Sequence, residues 1–167
     1  DDAKSNSEYG LSCRFLAAQD AKNECVLIMD DDLIPFHYTI SKLYEKYIIF
    51  PMIIHGIVGR NINSNFEYVK KNVYGNVPIV LTRMMLINKN SILKFFEYKN
   101  SISNSVLSLG TPLWNGEDIF MSLISFKESG QKNRVYRLPF LNLLYSSMFG
   151  ISNNFLSYFK RKKYNML

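Results

Sequence analysis

Cys25-Val26-Leu27-Ile28-Met29-Asp30-Asp31-Asp32 is the stretch from which the fold is read: five apolar residues run without a break into three carboxylates. A continuous apolar run, rather than an alternating one, predicts a strand covered on both faces, as in a parallel sheet flanked by helices. Outward from it, Ile40, Leu43 and Tyr47 recur at i, i+3 and i+7 after Pro35 and predict a helix with one apolar face. Residues 56–59 predict a second short buried strand, and residues 77–87 a third, longer one. Residues 91–98 predict a short helix with Ile92, Phe95 and Phe96 inward. Asn115 as cap, Glu117 and Asp118 in the first turn and Gly130 at the end delimit a further helix, with Ile119, Leu123 and Phe126 as its apolar stripe. Residues 135–140 predict a last strand and residues 153–159 a short helix. Strands alternating with helices define an α/β sheet with helices packed on it.

Composition bounds the function classes. The 167 residues, 47% hydrophobic and 20% charged, suit one domain able to bury its own core. The longest apolar run, residues 47–59, is interrupted by Pro51 and His55 and falls short of the roughly 20 residues a bilayer span requires. The chain opens on Asp1 and is expected to be a piece of a longer protein. The net charge of +6 falls to +2 without the four consecutive cations Lys160, Arg161, Lys162 and Lys163, so the excess sits in a basic tail over residues 160–167. Such a tail touches phosphates or an anionic surface, or is simply solvated. Cys13 and Cys25 are too few for a zinc framework, and their spacing leaves a disulfide open. There is no Asn-x-Ser/Thr sequon and no glycine-rich phosphate loop of either common pattern.

The chemistry gathers at the end of the first strand. Ligands of open α/β sheets bind just outside the carboxyl ends of the strands. Three adjacent carboxylates repel one another by about 1 kcal/mol per pair at a wet surface, a cost that a divalent cation removes. Strand alternation puts Asp30 and Asp32 on one side, where they offer hard oxygen donors to Mn²⁺ or Mg²⁺ and, through the metal, to a diphosphate. The bland alternative is an acidic turn with Asp32 capping the following helix. Glu117 and Asp118 at a helix start have a sufficient structural reason in the helix dipole, about 0.3–1 kcal/mol. Arg14, sixteen residues before Asp30, gains weight only by association. With His37 and His55 the only histidines, a histidine metal site or a Ser-His-Asp triad is excluded in practice, and His55 reads as a satisfied, partly buried residue. Trp114 reads as packing beside the helix start. Ile34 stands where an aspartyl-phosphate phosphatase needs threonine and a calcium loop needs Asp or Asn.

Four blocks, in order, carry a resemblance. They are Leu11-Ser12-Cys13-Arg14-Phe15, the run from Val26 to Asp32, residues 50–60 ending in Ile57-Val58-Gly59-Arg60, and Asn115-Gly116-Glu117-Asp118-Ile119-Phe120-Met121. Together they resemble the glycosyltransferase domain of the exostosin family, including the exostosin-like N-acetylhexosaminyltransferases. The resemblance implies a nucleotide-diphospho-sugar transferase fold, Rossmann-like with a mostly parallel sheet and flanking helices. This chain would then be a single partial domain over residues 1–167, lacking the N-terminal strand–helix units. It implies a retaining enzyme that uses UDP-N-acetylglucosamine or UDP-N-acetylgalactosamine, a glycan acceptor and Mn²⁺, with Mg²⁺ as the substitute. By position, Asp32 would bind the metal, Asp30 and Asp31 the ribose and sugar, and Arg14 the diphosphate side of the donor. Asp118, with Glu117 beside it, would sit against the donor sugar near the reacting carbon, and Arg161 (or Lys160) near the diphosphate. Gly116 and Lys163 stand where the family has a cysteine pair. The family works in the lumen of the endoplasmic reticulum or Golgi, anchored by a segment that would lie upstream.

Two other readings use the same residues. A Mg²⁺-dependent phosphotransferase could be built on the acidic strand end, and a polyanion- or membrane-surface-binding module on the basic tail. The second leaves the acidic triplet without a role, so nucleic acid is not among the expected partners.

Overall fold

The computed structural model describes residues 9–30, 33, 35–65, 67–106 and 116–138. A 3₁₀ turn at Gly10–Ser12 leads into α1 (Cys13–Ala18), followed by β1 (Cys25–Met29), α2 (His37–Ile49), β2 (His55–Gly56) and β3 (Gly59–Ile62). After these come β4 (Tyr68–Val73), β5 (Gly75–Val77), β6 (Ile79–Val80), β7 (Met84–Asn88), α3 (Lys89–Val106), α4 (Glu117–Ser129) and β8 (Asn133–Val135). They form a five-stranded sheet in the order β1-β7-β2-β8-β5 and a three-stranded sheet in the order β4-β3-β6.

The apolar run at residues 25–29 forms the expected strand, and its side chains serve both faces. Val26 and Ile28 join Met85, Ile87, Ile92, Phe95 and Met121 in a core under α3 and α4. Leu27 and Cys25 pack from the other face against the cluster of Leu43, Tyr47, Met84 and Leu86, covered by α2. Leu43 and Tyr47 on α2, and Ile92, Phe95 and Phe96 on α3, are buried as their spacing predicts. Cys25 is a packed thiol, pushed up to about 11 by burial. Both cysteines are free, so the disulfide left open by their spacing is not formed.

The sheet corrects the expectation of mostly parallel strands. β7 lies between β1 and β2 and is antiparallel to both, and β5 is antiparallel to β8; among the described residues only β2 and β8 run parallel. The cause lies in residues 77–87, read as one strand. Pro78 has no N–H to give a ladder, and the turn after Val80 reverses the chain. The segment therefore divides into the end of β5 in the five-stranded sheet, then β6 in the three-stranded sheet, then β7 back in the five-stranded one. The strand expected at residues 56–59 divides likewise between β2 and β3. Gly56 is required at this crossing, because a Cβ there would run into Val80 and come within 3.0 Å of the Met84 carbonyl.

The apolar stripe expected on α4 faces the wrong way. Leu123 and Phe126 are 46% and 48% exposed, while Met121, Ser122, Ile124 and Ser125 are buried. The buried serines are there for hydrogen bonds. Ser122 Oγ accepts the N–H of Val80 at 3.0 Å, and Ser125 Oγ donates to Asn133 Oδ1 at 2.7 Å. Asn133, fully buried, also accepts the N–H of Ile54 at 3.0 Å and donates to the carbonyl of Ser122 at 2.9 Å. α4 ends at Gly130, as predicted, with φ +67°. Residues 133–135 form the last described strand, and the helix expected at residues 153–159 lies outside the described residues.

His55 is satisfied, as expected, and is wholly buried. Its Nε2 donates to the carbonyl of Phe50 at 2.9 Å, so Nδ1 accepts the hydroxyl of Tyr136 at 2.8 Å. Burial, and secondarily Arg134, lower its pKa against the opposing effect of the Phe50 carbonyl. A histidine depressed in the fold stays neutral there while the unfolded chain takes up a proton, so stability falls as pH drops below about 6.5. Urea unfolding of the wild type is expected to show this loss between about pH 7.5 and 5.5, and His55→Asn should flatten it. Equal slopes in the two proteins would remove His55 as its source.

Candidate active site

β1 ends where the site begins. The N–H of Asp30 donates to the carbonyl of Arg83 at 3.1 Å, and its own carbonyl accepts the N–H of Leu33 at 3.3 Å, so the strand turns away with the Asp30 backbone held at both ends. On α1, packed against β1 through Phe15, Arg14 reaches across and donates from Nη1 to Asp30 Oδ1 at 2.7 Å. The two side chains are about a quarter to a third exposed, so the pair stands at the wall of the site. A guanidinium held this way is oriented as well as charged.

The N-terminus of α4 brings the second acidic group to the same place. Gly116, with φ +89°, turns the chain into the helix, and Glu117 and Asp118 form its first turn. Asp118 Oδ1 accepts the N–H of Ile119 at 2.7 Å. The helix terminus is not the largest influence on this carboxyl. Burial raises it, opposed by the N–H groups of Ile119 and of Asp118 itself and by Arg14 and Arg60. Glu117 is only 7% exposed. Burial raises its carboxyl as well, and Asp118 and Asp30 push the same way, while its own N–H and Arg14 oppose them. Glu117 Oε2 has no hydrogen-bond partner among the described residues.

Arg14, Asp30, Glu117 and Asp118, four of the residues singled out in the sequence, thus share one electrostatic neighbourhood. Asp31, Asp32 and Arg161 lie outside the described residues, as do Trp114 and Asn115. One participant escaped the reading. Arg60 lies at the irregularity in the β3–β4 pairing between Gly59 and Asn61, and it is the second cation felt by Asp118. Its Nη1 donates to the carbonyl of Gly59 at 3.1 Å and to Asn72 Oδ1. A lone arginine after an apolar block carries no local signal of such a role; only the fold brings it to α4.

Among the described residues no group of three or more His, Cys, Asp or Glu side chains is arranged to hold a metal, and no helix is long and apolar enough to cross a membrane. The cations and carboxylates that influence one another here come from α1, the residue after β1, β3 of the smaller sheet and the first turn of α4. The family model described as Glycosyl transferase family 64 domain matches residues 3–146, and the chain belongs to that family. The match takes in every site residue above except Arg161. No curated protein matches the chain.

Proposed function

We propose that this domain transfers an N-acetylhexosamine from a UDP-sugar to a glycan acceptor with retention of configuration, in the manner of the exostosin-like transferases, and that it depends on Mn²⁺. The observation that carries the reading is the convergence of the Arg14–Asp30 pair with Glu117, Asp118 and Arg60 at the end of β1. Along the chain, Asp31 and Asp32 follow at once.

The donor set suits a hard divalent cation, for which Mn²⁺ is the first choice and Mg²⁺ the second. With Asp30 engaged by Arg14, Asp32 is the assigned metal ligand and Asp31 contacts the ribose or sugar. When bound, the metal supplies positive charge beside the diphosphate, where negative charge builds as the glycosidic bond breaks. Arg14, fixed by Asp30, faces the diphosphate side of the donor, and Arg161 is assigned to the same group. Glu117 and Asp118 lie on the sugar side, with Asp118 as the anion near the reacting carbon. A fixed negative charge there stabilises the oxocarbenium-like character of the transition state. The assigned compartment is the lumen of the endoplasmic reticulum or Golgi.

Calorimetric titration with UDP tests the metal. Mn²⁺ is expected to tighten UDP binding at least about tenfold, or about 1.4 kcal/mol, and Asp32→Asn to abolish the difference. Equal affinity with and without metal in the wild type would end the metal assignment. Release of phosphate from monoesters, with no consumption of UDP-sugar, would favour the phosphotransferase instead.

A further inference from the structure

Glu117 and Asp118 are neighbours in sequence whose carboxyls differ in depth and in hydrogen bonding. Asp118 is half-buried, accepts a backbone N–H at 2.7 Å and lies under the influence of two guanidiniums. Glu117 is 7% exposed, and its Oε2 is sealed from water with no partner among the described residues. Ionised, the carboxyl would keep its own backbone N–H and the field of Arg14 but leave Oε2 with neither solvent nor a hydrogen-bond donor among the described residues, which is a costly form of polar burial. A carboxylic acid avoids most of that cost.

We propose that Glu117 keeps its proton at neutral pH and acts as a positioning residue, leaving the Glu117–Asp118 pair with one negative charge and placing it on Asp118. The groups around the pair agree. Asp30 just after β1 and Asp118 from α4 disfavour a further anion at Glu117, and among the described residues Arg14 from α1 is the cation acting on it, already paired at 2.7 Å with Asp30. Arg60 from β3 acts on Asp118. With Glu117 neutral, two carboxylates (Asp30 and Asp118) balance two guanidiniums (Arg14 and Arg60), and an anionic diphosphate meets no surplus negative charge from these residues. Two adjacent acids, both raised by burial but differing in hydrogen bonding and in the cations near them, divide their roles by environment. The consequence for activity rests on the glycosyltransferase reading; the protonation does not.

The test separates the two. Unfolded glutamate ionises near pH 4.3, so above that the fold holds a proton that the unfolded chain has lost. Stability then falls as pH rises, by up to about tenfold in the unfolding constant per pH unit, until Glu117 ionises in the fold. Glu117→Gln has no proton to lose. In urea unfolding from about pH 5 to about pH 8, the stability of Glu117→Gln relative to wild type is expected to grow by at least about tenfold in the unfolding constant. Parallel curves would overturn the proposal. Infrared spectroscopy of the wild type alone gives a second measure, should the variant not fold. A protonated carboxyl band persisting at neutral pH supports the proposal, and its absence overturns it. With UDP-sugar as substrate, the wild type is expected to show a rise in donor KM at alkaline pH that Glu117→Gln lacks. The same rise in both would deny Glu117 the positioning role. If neither protein consumes UDP-sugar, the glycosyltransferase reading fails, while the stability and infrared results still decide where the proton is.

Discussion

Asp118→Asn is expected to lower transfer from a UDP-sugar about 100-fold, which is about 2.7 kcal/mol of barrier. Its melting temperature should stay within a few degrees of wild type. The structure separates the two effects because the amide oxygen of asparagine can still accept the N–H of Ile119 that Asp118 Oδ1 accepts at 2.7 Å. The cost to the helix start is then at most about 1 kcal/mol. What the amide lacks is the charge facing Arg14 and Arg60. Melting temperature and UDP release measured on one sample make the comparison. Unchanged turnover would return Asp118 to a purely structural role at the start of α4.

Asn133→Ala is expected to cost about 3 kcal/mol, with a fall in melting temperature of roughly 6–12 °C. Asn133 is fully buried and ties three elements together. It accepts from Ile54 just before β2, accepts from Ser125 on α4, and donates to the carbonyl of Ser122. Alanine leaves the buried N–H of Ile54 without an acceptor, leaves the carbonyl of Ser122 without this donor, and leaves the Ser125 hydroxyl only the longer contact to the Met52 carbonyl at 3.4 Å; each unsatisfied buried group costs about 1–3 kcal/mol. Urea denaturation measures the loss directly. A change below about 1 kcal/mol would show that the groups left behind find water or one another.

How much of this was legible depends on how far apart the determining residues lie. β1 and the buried faces of α2 and α3 were readable, because hydrophobic spacing is local and burial follows it at Leu43, Tyr47, Ile92 and Phe95. The stripe on α4 misled for a physical reason. Its inner face carries Ser122 and Ser125, chosen to satisfy Val80 and Asn133 rather than to be apolar. Strand direction was not readable, since an apolar run is compatible with either a parallel or an antiparallel neighbour. Pro78 was a visible sign that residues 77–87 could not be one uninterrupted strand. In the site, Arg14, Asp30, Glu117 and Asp118 were marked by residue type and by resemblance. Arg60 closed one block of the resemblance but was given no role, because its importance lies in a partner on α4 that its neighbours in sequence do not announce.

The way β1 is held has a consequence for the order in which the domain is built. Its hydrogen-bonded partner is β7, with Cys25 opposite Asn88, and the two carboxyls that complete the site arrive later still, on α4. Pairings so distant in sequence must close long loops before they return any free energy, so they form late and slowly. During synthesis Arg14, Asp30 and Arg60 emerge well before Asp118, so the Arg14–Asp30 pair is available early while Arg60 waits for the carboxylate that α4 brings. The charged site is therefore complete only once α4 has docked onto the sheet that holds β1.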